Sequence, residues 1–212
     1  MALPAMSFHE VVAELPRVPS RRTPGVVTSS PYSRPYLQGL LGSVPSLRPA
    51  HQHDAAMVLA LTLGAGFRAS EVAHATGPFD PAQGLVTASG FRDLAPRQVP
   101  IAQVVLGQMS AFLEPVPAGR TLIRPARVAT TTRLVGRFVA RAWPEPPNLR
   151  RLRSSWIVGA LSTGIDPSCL SDLAGTCDLT PYAAWARIPA TQVADPRLIV
   201  PGTPGVWEVR YA

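Results

Sequence analysis

The chain has 212 residues, enough for one sizeable domain with tails and too few for two comfortable ones. Hydrophobic residues make up 46% and charged ones 16%, which excludes a chain too polar to bury a core, while 24 prolines and 16 glycines impose many breaks. The net charge of +7 arises from 20 arginines and no lysine, and a basic surface of this kind suits a polyanion, because arginine grips phosphate bidentately. GC-rich coding accounts by itself for the missing lysines, so the charge alone assigns no partner.

Residues 1 to 34 carry five prolines before Pro35, an arginine group (Arg17, Arg21, Arg22) and one short apolar stretch. They read as a disordered tail or a basic arm. From Pro35 the pattern changes: Tyr36, Leu37, Leu40 and Leu41 recur at helical spacing. A second helix is expected over His51 to Gly64, with Met57, Leu59, Ala60 and Leu63 inward. Ser70 is expected to cap a short helix from Glu71 to Ala75, ended by Gly77 and Pro78. Leu85 to Ser89 and Arg97 to Ile101 alternate as strands around a turn with Gly90, Asp93 and Pro96, which predicts a hairpin.

Helical spacing returns over Ala102 to Leu113 and Thr131 to Trp143, with a loop at Pro115 to Arg127 between them. Leu149 to Leu161 is an amphipathic helix with Leu149, Leu152, Trp156 and Ala160 as its core stripe. Asp166-Pro167 opens a helix that runs to Leu173 and is stopped by Gly175. A last short helix, Thr180 to Arg187, precedes an irregular tail over residues 189–212. The fold class expected is mainly α with a small antiparallel hairpin (α+β), in one domain over residues 35–188.

Cys169 and Cys177 have no histidine nearby and lack redox or zinc spacing, so both are expected as reduced, buried thiols. No metal and no cofactor is expected. The longest apolar run, Ala55 to Leu63, is far short of a bilayer span, and the N-terminus lacks a basic-then-apolar signal. An intracellular protein is expected, cytoplasmic or associated with a nucleus or nucleoid, with no membrane partner.

The order of elements over residues 36 to 187, with its Gly-x-Arg turn, hairpin, arginine-rich helix and Leu-x-x-Leu-x-Gly helix end, resembles the catalytic domain of the tyrosine recombinases, or phage integrases. Gly66-Phe67-Arg68-Ala69-Ser70-Glu71-Val72 is similar to the turn that carries the family's first catalytic arginine. The resemblance implies that Arg68 clamps the scissile phosphate and that Glu71 supports it. Arg150-Arg151-Leu152-Arg153-Ser154-Ser155-Trp156 is similar to the second signature, with Arg153 as its arginine. Positions 150 and 153 share a helix face, so both guanidiniums are expected to converge on one phosphate.

Several positions depart from the family pattern. Arg150 and Ser154 stand where histidines belong, and Thr176 takes the place of the final histidine or tryptophan. Nine residues further on, the nucleophilic tyrosine's position is Trp185, while Tyr182 lies one helical turn earlier. Arg92 aligns loosely with the hairpin lysine that acts as general acid; its charge suits a phosphorane, but its proton is not available at neutral pH. Tyr211 is a second candidate nucleophile, since in the family the C-terminus can cross to a neighbouring protomer.

Three functions follow as expectations. One is a recombinase or integrase, of the kind that mobile elements carry, that uses phosphotyrosyl transesterification on double-stranded DNA and self-associates on it, with Arg68, Arg153, Arg150, Arg92, Thr176 and Tyr182 as its site. The second is a recombinase fold that binds DNA without chemistry. The third is a helical interaction domain whose charge has no ligand. The helical domain that closes the other half of the family's DNA clamp has no counterpart in residues 1 to 34.

Overall fold

The computed structural model describes residues 29–88, 90, 96–124, 131–176 and 179–186. The expected Arg17, Arg21, Arg22, Arg92, Cys177 and Tyr211 lie outside the described residues, as do residues 1–28 and 187–212. Helix α1 (Arg34–Gly42) has Pro35 in its first turn and buries Leu37, Leu40 and Leu41. Helix α2 (Pro49–Leu59) continues into a π-helical turn, Ala60–Gly64, and every residue from Asp54 to Gly64 is buried. Helix α3 (Ala69–His74) follows, then strands β1 (Leu85–Ala88) and β2 (Arg97–Pro100). Helices α4 (Gln103–Met109), α5 (Thr131–Ala142), α6 (Leu149–Ser162), α7 (Pro167–Ala174) and α8 (Thr180–Ala186) complete the described chain. The mainly helical class with one small antiparallel sheet is the one expected.

Helices α2 and α6 form the centre. α6 packs on the π-helical turn, on α7 and on α8, while α3 packs on α5 and α7 on β2. The expected stripe of α6 understates its burial: Leu152 through Thr163 are all buried. A helix enclosed on all sides has no amphipathic period to read. Its hydroxyls are accommodated by bonding back one turn, as when Ser155 Oγ donates to Arg151 O (2.9 Å) and Ser162 Oγ to Val158 O (2.8 Å).

The helix ends follow local chemistry. Asn148 caps α6 by accepting from Arg150 N (2.9 Å) and Arg151 N (3.3 Å). Asp166 caps α7 in the same way, with Pro167 in the first turn, and Gly175 ends it in the left-handed conformation at φ 58°. Helix α3 differs from expectation, since Ser70 lies inside it. Arg68 is the N-cap residue; its side chain has no acceptor for the first helical N–H groups, and the half of the cap that is formed is the bond from the Arg68 backbone N–H to Glu71 Oε2 at 2.8 Å.

Two further expectations are corrected. Cys169 is exposed on α7, where Pro167 and Leu170 rather than the cysteine face the core. Residues 30–33, placed with the arm by sequence, are docked on α6. Arg151 Nε donates to Ser30 O (2.9 Å), its guanidinium lies 3.9 Å over the Tyr32 ring, and Tyr32 N–H donates to Ser155 Oγ (2.8 Å). Tyr32 is buried and stacks on Tyr36 at 4.1 Å. No helix among the described residues is long and apolar enough to cross a membrane.

Candidate functional site

The turn Gly66-Phe67-Arg68 is set by a close approach. Gly66 has φ +67°, and a Cβ there would fall 2.1 Å from the ring of Trp156 on α6, so only glycine lets the turn lie against that helix. Phe67 is fully buried, and its N–H donates to Leu61 O in the π-helical turn at 2.8 Å. The turn thereby delivers Arg68, half-buried, to the start of α3.

The C-terminal end of α7 lies opposite. A helix end leaves carbonyls without intrahelical partners and carries partial negative charge. Three guanidiniums from three elements take these carbonyls. Arg68 Nη2 donates to Gly175 O (2.6 Å), Arg153 Nη2 to Ala174 O (2.7 Å), and Arg97 Nε to Leu173 O (2.8 Å). Arg153 Nη1 also donates to Gly66 O.

The Glu71 carboxylate, 4% exposed, ties the cluster together. Its Oε1 lies 2.7 Å from Arg97 Nη1, and its Oε2 accepts from Arg68 N at 2.8 Å and lies 3.9 Å from Arg153 Nη1. Burial, first, and then the charge of Arg68 pull the Arg153 guanidinium down to about 10, with Glu71 and Tyr182 acting in the opposite sense. Three guanidiniums against one carboxylate leave two positive charges in excess among these groups.

Of the residues expected in the site, Arg68, Arg153 and Glu71 are brought together. Tyr182 is half-buried against the core, and Trp185, one turn on, is 49% exposed. Thr176 follows Gly175 directly, and its N–H donates to Ser171 O at 3.0 Å. Arg150 is exposed on the first turn of α6, so the expected convergence with Arg153 is not seen among the described residues. Arg153 turns inward beneath α7, and Arg150 turns to solvent. Arg153 is 8% exposed and bonds to protein carbonyls, which leaves Arg68 as the more accessible of the pair.

Arg97 was not among the expected site residues. The signal was in the alternation of β2: Arg97 shares a face with Val99, which is fully buried, so this arginine points inward. Asn148, whose cap fixes the start of the arginine-rich helix, was missed as well.

The fold is that of tyrosine recombinase catalytic domains. A XerA recombinase crystal structure superposes with a TM-score of 0.55 at 13% identity over 82% of this chain and 65% of that one. A Tn1549 transposon integrase in complex with transposon right end DNA gives 0.51 at 16% identity, over 73% of this chain and 60% of that one. The same integrase with circular intermediate DNA gives 0.50 at 15%, over 77% and 62%. The chain thus spans less than two thirds of the structures it resembles. No protein-family model matches the sequence, and no curated protein matches it.

Proposed function

We propose that this chain binds double-stranded DNA through the face around Arg68, with a backbone phosphate held by that guanidinium. The observation that carries the proposal is the charge of the cluster: the guanidiniums of Arg68, Arg97 and Arg153 converge on the carbonyls at the end of α7, and among the described residues the carboxylate paired with any of them there is that of Glu71, against Arg97 and Arg153. Arg97 and Arg153 use their nitrogens on protein oxygens, and Arg68 is half-exposed with one bond, to Gly175 O, among the described residues. An excess of buried positive charge behind an accessible guanidinium favours an anion with two or more oxygens. The DNA in the Tn1549 integrase structures supports duplex DNA as the source of that phosphate.

The finer reading is site-specific recombination or integration by phosphotyrosyl transesterification, with Tyr182 as the attacking hydroxyl. Its support is that Tyr182 is packed, half-buried, on the core in α8, which lies against the α6 helix that carries Arg153. A second reading, binding without strand cleavage, is supported by Trp185 at the expected nucleophile position and by Ser154, which is buried where the family has a histidine. Arg92 and Thr176 belong to the finer reading as charge and positioning groups, and Arg150 as an outer phosphate contact.

Nicked suicide DNA substrates separate the two. A denaturation-resistant protein–DNA species that disappears in Tyr182→Phe establishes transesterification. Salt-sensitive binding with no such species establishes the binding module, and no salt-sensitive binding at all overturns the proposal.

A further inference from the structure

The hairpin arginine is the group whose position no functional expectation accounts for. Its side chain is 12% exposed. Each nitrogen of its guanidinium meets a protein oxygen: Nε donates to Leu173 O (2.8 Å), Nη2 donates to Ala174 O (3.4 Å), and Nη1 forms an ion pair with Glu71 Oε1 (2.7 Å). Its Cζ also lies 5.8 Å from the centroid of the buried Phe67 ring.

These partners bracket Arg68. Phe67 precedes it in the chain, Glu71 holds its backbone N–H, and Gly175, next after Ala174, accepts from its Nη2. Gly175 itself is fitted to the hairpin arginine, since a Cβ there would lie 2.9 Å from Arg97 Cζ.

We propose that Arg97 is a positioning residue of the phosphate site, which fixes Glu71 and the end of α7 so that Arg68 is held in its binding orientation. This rests on the reading that Arg68 holds a DNA phosphate. With its side chain 12% exposed and three of its five N–H groups aimed at protein oxygens, Arg97 acts through Arg68 rather than on a ligand itself. Its three bonds run in three directions from one plane, a geometry that the single ammonium of lysine does not reproduce.

The test compares the full chain with Arg97→Lys, Arg68→Gln and the combined variant, by fluorescence anisotropy of a labelled DNA duplex across a salt series. Arg97→Lys is expected to weaken binding in the range of about 10- to 100-fold that loss of an orienting partner costs at metal sites. It is also expected to make the salt dependence shallower by about one phosphate, as Arg68→Gln does. The combined variant should bind no more weakly than Arg68→Gln alone. Parental binding by Arg97→Lys, or a combined loss equal to the product of the two single losses, overturns the positioning role. If Arg68→Gln binds as the parent does, the phosphate reading itself fails, which is a separate outcome.

A measurement on the unmutated chain keeps the proposal decidable where the variants do not fold. With phenylglyoxal, an arginine reagent, Arg68 should react and be protected by duplex DNA, while Arg97 should be inert with or without it. Arg97 that reacts and is protected to the same extent as Arg68 is a DNA contact, and the positioning role falls.

Discussion

The Trp156 ring occupies the space that a side chain on Gly66 would need, with the ring carbon Cε3 2.1 Å from an ideal Cβ. Two costs therefore add in Gly66→Ala. A left-handed φ costs about 1–2 kcal/mol for a residue with a Cβ, and overpacking a filled site costs about 1–3 kcal/mol. Urea unfolding should show the variant less stable by several kcal/mol. A loss below about 0.5 kcal/mol, the ordinary range for surface changes, is incompatible with the close approach.

Glu71→Gln should be more harmful than its isosteric change suggests. Removing one partner of a buried ion pair costs about 3–5 kcal/mol, because the remaining charge stays uncompensated. Here the carboxylate faces Arg97 at 2.7 Å and Arg153 at 3.9 Å. Excess phosphate or duplex DNA should recover part of this loss by supplying the missing negative charge, and thermal melting with and without duplex checks it. An unchanged melting temperature in the free variant rules out a structural role for the pair.

Arg68→Gln should reduce the slope of log K against log salt by about one, whatever the duplex sequence, as expected for a single phosphate contact. Loss of binding to one sequence only, with the slope intact, identifies a base contact instead.

The Asp166 carboxyl is held below its ordinary range by hydrogen bonds from the Ser168 side chain and from the Cys169 and Ser168 backbone N–H groups. The unfolded chain therefore binds a proton more readily than the folded one. The resulting stability is present above the unfolded value of about 3.9 and is lost as pH falls through the lower folded value. Asp166→Asn, which can still cap α7, should flatten the acid limb of a melting-temperature profile. Coincident acid limbs refute the assignment.

Asp54 has the opposite sign. Burial is the largest effect and raises its carboxyl, while the Arg124 N–H, at 3.1 Å, works against it. The folded chain binds the proton more tightly, so this group's contribution falls as pH rises from the unfolded value through the raised folded one. Asp54→Asn keeps an acceptor for the Arg124 N–H and removes the charge. Its melting temperature at pH 7 should equal or exceed the parent's, and a lower value shows that the ionised form is favourable overall.

The legibility of the sequence follows burial. Elements with one wet face, such as α1 with Leu37, Leu40 and Leu41 inward, and ends with turn chemistry, such as Asp166-Pro167 and Gly175, stand close to where their residues place them. α6 is enclosed, so its expected stripe of Leu149, Leu152, Trp156 and Ala160 described only part of the buried set. Arg68, Glu71 and Arg153 were legible through local motifs, since each sits in a short run of characteristic residues. Arg97 has no such run around it. Its role arises from contacts 76 residues away at Leu173, which no local pattern encodes. Tyr32 was lost for the same reason, because its partners Ser155 and Asn148 are 123 and 116 residues distant.

The carbonyls at the end of α7 are reached from positions 68, 97 and 153, with sequence separations of 107, 76 and 21 residues. Closing the longer loops carries an entropic cost that the contacts at this junction must repay. The cluster therefore forms only when segments far apart in sequence have all docked on this one helix end. Arrested intermediates that retain only local helices lack the site.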